Sequence, residues 1–146
     1  MERFEGILMV GAALSFGLAL LHVAMIPFGA RAYRYFTAGD WMIEQSESGS
    51  PLPGLLTLGI AAILASFGLY ALAAAGVPIS LPFIRAGVTV VAAIYLLRGL
   101  GCFPQLVMLS RGSQKVAPRE PVFSAVSLAI GIVYAAGIAL GWSALG

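Results

Sequence analysis

The chain has 146 residues, of which 60% are hydrophobic and 10% charged, whereas an ordinary soluble domain carries about 25% charged residues. So few charges cannot cover a surface exposed to water. Three long stretches, residues 6–30, 48–84 and 121–146, contain no Lys, Arg, Asp or Glu. Together with a mean hydropathy of +0.98, this pattern excludes an ordinary soluble globule and predicts an integral membrane protein.

The composition also excludes several functional classes. The net charge of +2 arises from only eight Lys and Arg residues, which do not form the basic cluster typical of nucleic-acid binding. A lone cysteine, Cys102, cannot form an internal disulfide or a redox pair. A lone histidine, His22, cannot form a bis-histidine haem site or a multi-histidine zinc site. We therefore expect no nucleic-acid partner, and no haem or metal held by one chain.

Four stretches are long enough to cross the bilayer core, which takes about 20 apolar helical residues. They are predicted near residues 6–28, 54–75, 82–109 and 121–145, between segments rich in Pro, Gly and charge. Helices are expected because backbone polar groups in lipid must be satisfied within their own segment, and the alternation of a membrane barrel is missing. The predicted fold class is an all-α integral membrane protein, with one domain over residues 1–146 that forms a bundle of four transmembrane helices.

The first stretch could instead be a cleaved signal peptide, because Ala30-Arg31-Ala32 resembles a cleavage site. However, Glu2, Arg3 and Glu5 do not form a positive leading region, and the stretch exceeds the roughly 7–15 apolar residues of a signal peptide. We expect a retained helix.

Basic residues in the connecting segments predict the orientation. Segments 29–53 and 110–120 carry most of them, namely Arg31, Arg34, Arg111, Lys115 and Arg119, whereas the other side has Arg3 and Arg85. By the positive-inside rule, segments 29–53 and 110–120 are predicted to be cytoplasmic and both termini to lie outside. The expected location is a bacterial inner membrane.

Small and polar residues recur at helical spacing in two of the stretches. In the first they are Gly11, Ser15, Leu18 and His22. In the fourth they are Ser127, Gly131, Tyr134, Ile138 and Gly141. Because membrane helices pack through small residues and interhelical hydrogen bonds, we expect both faces to contact other helices.

The third stretch differs because it contains an arginine near its midpoint. Arg98 shares a helical face with Tyr95 and Gln105, and a charge at the bilayer centre normally faces a cavity or a partner. The alternative is that the helix ends or kinks near Gly101 and Pro104, so that the Arg98 side chain snorkels to the headgroups at little cost. The sequence leaves both possibilities open.

The 25 residues from 29 to 53 form a long connection, and long ordered loops are often functional. We predict an interfacial helical segment, with Gly39 weakening it and Asp40 capping a second short helix. The residues expected at the headgroup layer are aromatic or basic: Arg31, Arg34, Tyr33, Tyr35 and Trp41. The alternative is a lid that brings Asp40 or Glu44 toward Arg98 and His22.

These features predict binding or transport of an anionic or amphipathic ligand, such as a lipid, a quinone or a small anion, in a cytoplasm-facing pocket. The predicted ligand-binding residues are Arg98, His22, Tyr95, Asp40 and Glu44. One alternative is an accessory or assembly subunit of a larger membrane complex. Another is a membrane-embedded enzyme, although no catalytic residue is assigned. Membrane lipids are the expected partners, with a homo-oligomer or a larger complex as a further expectation.

Overall fold

The computed structural model describes residues 2–145, and over that range it contains helices and turns but no strand. Its α-helices are α1 (Arg3–Met25), α2 (Ala30–Tyr35), α3 (Asp40–Glu47), α4 (Leu52–Ala74), α5 (Ile84–Leu100), α6 (Cys102–Ser110) and α7 (Glu120–Gly141). A short 3-10 turn, Ile26–Phe28, follows α1. The all-helical fold class is therefore confirmed.

Four helical stretches among the described residues are long and apolar enough to cross a membrane: Arg3–Phe28, Leu52–Ala74, Ile84–Ser110 and Glu120–Gly141. The number of helices of spanning length and apolarity is therefore the number predicted. Two of them begin one or two residues earlier than expected, because Pro53 and Pro121 occupy the first turns of α4 and α7. Proline is tolerated there since the first turn leaves its N–H groups without intrahelical partners in any case.

The third stretch is interrupted, as one of the two sequence interpretations anticipates. Helix α5 ends at Leu100 and α6 begins at Cys102, with Gly101 between them in right-handed helical geometry (φ −58°, ψ −20°). Pro104 has no N–H to donate to the carbonyl of Leu100, which weakens the helix at this point. Arg98 consequently lies in the last turn of α5.

The chain divides into two compact units. The first unit comprises residues 1–15 and 67–146, and the second comprises residues 16–66. The first unit contains α5, α6, α7 and the beginning of α1, whereas the second contains α2 and α3.

Glycines allow α5 and α7 to pack backbone to backbone in the first unit. A methyl group on Gly99 would lie 2.5 Å from the backbone nitrogen of Leu128, and one on Gly131 would lie 2.8 Å from the backbone nitrogen of Leu96. The two contacts run in opposite directions along the two helices, so the pair is antiparallel. Every residue of the predicted fourth-span face is buried, which confirms that this face contacts other helices.

The second unit encloses a small core around Tyr33. Met25, Ala32 and Tyr33 are buried there, and partly buried side chains of α2 and α3 pack against them. Gly39 separates α2 from α3 with a φ of +98°, a left-handed value that glycine adopts without strain. The predicted break at Gly39 is confirmed, but Asp40 as a cap is wrong: Asp40 is the first residue of α3, and Gly39 occupies the cap position without a side-chain hydrogen bond. Glycine takes the cap position because it adopts this φ without strain.

Candidate functional site

Three hydroxyl groups form a buried chain in the interior of the first unit. The Tyr134 hydroxyl lies 3.1 Å from the main-chain oxygen of Phe67, and a carbonyl can only accept, so Tyr134 donates there. Tyr134 then accepts from Ser15 across 2.8 Å. Because the single proton of Ser15 is used in that bond, Ser15 accepts from Tyr95 across 3.0 Å. The hydrogen bonds therefore run in one direction, from Tyr95 to Phe67.

Close packing surrounds this hydroxyl chain. The rings of Tyr95 and Phe67 meet edge to face, with centroids 5.7 Å apart. A methyl group on Gly11 would lie 3.0 Å from the Tyr134 ring, so the ring would have to shift to admit it. Ser15 and Tyr134 are fully buried. A satisfied and closely packed chain of this kind holds helices in register and offers no group to a ligand. Tyr95 is predicted to bind ligand, and in the structure its hydroxyl group forms the first member of this hydrogen-bonded chain.

Arg98 has different surroundings although it lies only three residues beyond Tyr95. Its side chain is exposed beside Leu97, which is 70% exposed. Among residues 2–145 it makes no hydrogen bond and no ion pair. Arg85, at the other end of α5, instead lies over the Trp142 ring, 5.0 Å from its centroid. Arg98 is thus a cation on an apolar surface, without a counter-charge from the described part of the chain.

A shallow notch lies one turn beyond Arg98, at Gly101. A methyl group on Gly101 would lie 3.3 Å from the Arg98 carbonyl oxygen and 3.9 Å from the Ser124 hydroxyl oxygen, so the notch is small and Ser124 forms its wall on the side of α7. Ser124 donates to the amide oxygen of Gln105 across 2.8 Å. The Gln105 amide nitrogen keeps its two protons for another acceptor, since no group among residues 2–145 accepts from it.

The second unit contains an open cavity of about 380 Å³ next to the first turns of α4. Its walls are both apolar and hydroxyl-bearing, and they include Ile26, Tyr33, Ser46, Ser50, Leu55 and Leu58. The other lining residues are Pro51, Pro53 and Gly54. The cavity therefore offers hydrogen-bonding groups within a mainly apolar surface, as sites for amphipathic molecules do.

Thr57 does not line the cavity but bonds to two residues that do, Tyr33 and Pro53. Its hydroxyl oxygen lies 2.8 Å from the Pro53 carbonyl oxygen and 3.1 Å from the Tyr33 hydroxyl. Thr57 has one proton, and the shorter contact is to an atom that can only accept, so this proton goes to Pro53. Tyr33 then donates to Thr57 and retains its acceptor capacity. Because Tyr33 and Thr57 are both buried, this bond holds the first turns of α4 against α2.

The other predicted residues of the second unit lie apart from this cavity wall. His22 is half-buried, and its Nδ1 donates to the Leu18 carbonyl across 2.8 Å, which leaves Nε2 as the acceptor in the neutral ring. Asp40 and Glu44 are exposed. No hydrogen bond or ion pair within residues 16–66 joins His22 to either carboxylate.

The residues predicted to lie at the headgroup layer differ in their exposure. Arg31, Tyr35 and Trp41 are exposed, and so is Arg34, which forms an ion pair with Glu47. Tyr33 is buried, with 2% of its surface exposed. Its depth in the membrane remains a prediction, but the residue is part of the cavity wall.

The five predicted ligand-binding residues are divided between the two units. Tyr95 and Arg98 belong to the first, and His22, Asp40 and Glu44 belong to the second. Sequence reasoning missed the hydroxyls of Thr57, Ser46 and Ser50. A signal for them was present, since they flank the prolines at the beginning of an otherwise apolar helix.

No protein-family model matches the chain, and no curated protein or solved structure matches it either. The class that the fold defines is an all-helical protein with four helices long and apolar enough to cross a membrane.

Proposed function

We propose that this chain is an integral membrane protein that binds an amphipathic ligand in the cavity of its second unit. The cavity itself carries the proposal, because apolar side chains and hydroxyl groups line one space of about 380 Å³. That volume lies within the range of small-molecule sites, roughly 300–1,000 Å³. Lipids and quinones combine an apolar body with a small polar end and match such a lining.

The charges of the 29–53 segment favour a ligand whose polar end is uncharged. Two basic residues, Arg31 and Arg34, are outnumbered there by Asp40, Glu44 and Glu47. Arg34 is already paired with Glu47. An anion would therefore meet a net negative segment, whereas a neutral hydroxyl or amide end could bond to the hydroxyl groups of Ser46 and Ser50 in the cavity wall.

Filling the cavity should abolish binding, and α4 offers a matched pair of leucines for this test. Leu58 lines the cavity and Leu56 does not, yet both are 50% exposed. Purified protein in nanodiscs is irradiated with a neutral monoacylglycerol that carries a diazirine on its chain, and labelled peptides are mapped by mass spectrometry. We expect Leu58→Trp to reduce labelling of residues 26–58 about tenfold, which corresponds to about 1.4 kcal/mol, and Leu56→Trp to leave it unchanged.

A diazirine-bearing fatty acid, which is anionic, serves as the chemical control in the same experiment. Weaker labelling by the fatty acid supports an uncharged polar end. Equal labelling of the Leu58→Trp and Leu56→Trp proteins would contradict the cavity as the binding site.

The proposed location is a bacterial inner membrane, with segments 29–53 and 110–120 cytoplasmic and both termini outside, on the basis of the basic residues. Ser48 and Ser80 are exposed in the connections on opposite sides of α4. In spheroplasts, a membrane-impermeant maleimide should label Ser80→Cys at once and Ser48→Cys only after permeabilisation. The buried Cys102 sets the background, and the reverse labelling pattern would invert the proposed orientation.

A further inference from the structure

Arg98 has no anionic partner among residues 2–145. The carboxylates of the sequence are Glu2, Glu5, Asp40, Glu44, Glu47 and Glu120, and each lies in a connection, in the N-terminal segment or at the first turn of a span. A second copy of the chain carries the same carboxylates, whereas phospholipids surround every exposed side chain of a span. The phosphate group of a lipid is therefore the anion that is always present near an exposed Arg98.

The length of α5 places Arg98 within reach of that phosphate. Arg85 and Trp142 form a cation–π pair of the type that collects at the headgroup layer. Thirteen residues of helix separate Arg85 from Arg98, a rise of about 20 Å. A hydrocarbon core of about 30 Å then puts Arg98 about 10 Å below the opposite surface. The Arg98 side chain can snorkel over part of that distance.

Gln105 lies about 10 Å further along the same helical direction, because it follows Arg98 by seven residues and Gly101 keeps helical dihedral angles. Its level therefore coincides with the predicted membrane surface. The Ser124 bond fixes the Gln105 amide by its oxygen, and its N–H groups stay available. Arg98 below and Gln105 above thus bracket the notch at Gly101, where no side chain stands between their two polar groups.

The distribution of charged residues also favours binding of an anionic lipid near Arg98 and Gln105. Residues 98–120 contain Arg98, Arg111, Lys115 and Arg119 against the single carboxylate of Glu120. This excess of three positive charges exceeds the net charge of +2 of the entire chain. Juxtamembrane basic residues attract anionic lipids to the cytoplasmic leaflet, which raises their local concentration at the notch.

We propose that the Gly101 notch, between Arg98 and Gln105, binds the phosphate group of an anionic phospholipid. The guanidinium supplies charge-assisted hydrogen bonds to the phosphate oxygens, and the Gln105 amide donates from the side of the headgroup. This site lies in the first unit and shares with the cavity proposal only the membrane location.

Native mass spectrometry of the full chain, released from phosphatidylcholine nanodiscs that contain phosphatidylglycerol, measures the fraction that retains the anionic lipid. We expect Arg98→Met to reduce that fraction about tenfold, as the loss of a charge-assisted hydrogen bond implies. Arg98→Lys should retain an intermediate fraction, because lysine keeps the charge but not the planar fork. Gly101→Leu should reduce retention while every charge is kept.

Arg85→Met is the matched control, because it removes an exposed arginine from the other end of the same helix, and it should leave retention unchanged. Equal losses in Arg85→Met and Arg98→Met, or no loss in Arg98→Met, would overturn the proposal. Displacement of the lipid by excess inorganic phosphate would overturn the lipid as occupant, whereas retention supports it. If circular dichroism shows that Gly101→Leu does not fold, the comparison of Arg98→Met with Arg98→Lys decides the outcome. Leu58→Trp, which fills the cavity, should not alter retention, so the two proposals can fail separately.

Discussion

Gly99→Ala is expected to lower the free energy of unfolding by about 3 kcal/mol, at the upper end of the usual range for overpacked sites. The added methyl group would meet the backbone of Leu128 at 2.5 Å from its nitrogen and closer still to its Cα. A flexible side chain could turn aside, but a helix backbone cannot. The antiparallel pair of α5 and α7 must therefore separate, and the buried face of α7 would lose contacts along its length. Unfolding in detergent, followed by circular dichroism, measures the change.

Gly59→Ala and Gly17→Ala are matched controls for this prediction. Both glycines are helical, and nothing lies within 4 Å of a methyl group placed on either. Both substitutions should be neutral or slightly stabilising, because alanine favours a helix more than glycine does. Gly131→Ala should resemble Gly99→Ala, since its methyl group would meet the Leu96 backbone at 2.8 Å. Similar stabilities for all four variants would show that α5 and α7 do not depend on this close approach.

The sequence predicts the helices well because the physics of a membrane span is local. A run of apolar residues with Pro and Gly at its ends specifies a helix without reference to distant residues. The spacing of Ser127, Gly131, Tyr134, Ile138 and Gly141 likewise predicts the buried face of α7, which the structure confirms. The interruption near Gly101 was one of two alternatives, since glycine and proline weaken a helix without fixing where it ends.

The candidate site was harder to predict because it depends on contacts between residues far apart in the chain. The pattern groups Tyr95 with Arg98, but three residues turn a helix by about 300°, which leaves the two side chains about 60° apart. The structure buries Tyr95 and exposes Arg98. Tyr33 has the sequence environment of a headgroup-layer aromatic, but Thr57, 24 residues away, holds its hydroxyl within the unit. No local spacing rule indicates such a partner.

Ser15→Ala is expected to lower the free energy of unfolding by about 2 kcal/mol, because it interrupts the hydroxyl chain at its centre. Ser15 bonds to both Tyr95 and Tyr134. Without it, the Tyr95 proton loses its acceptor in a buried region, and a stranded donor costs about 1–3 kcal/mol. Tyr95→Phe should cost less, about 0.6 kcal/mol, which is typical of one hydrogen bond between membrane helices, since Ser15 still donates to Tyr134.

Ser66→Ala is the matched control, because the Ser66 hydroxyl bonds only to the Ile63 carbonyl of its own helix, and its effect should stay within about 0.5 kcal/mol. The double variant Ser15→Ala with Tyr95→Phe tests the coupling of Ser15 to Tyr95. Tyr95→Phe removes the donor that Ser15→Ala strands, so the double variant should be more stable than the sum of the single effects predicts. Strict additivity, measured by the same unfolding experiment, would show that the hydrogen bond between Ser15 and Tyr95 does not contribute to stability.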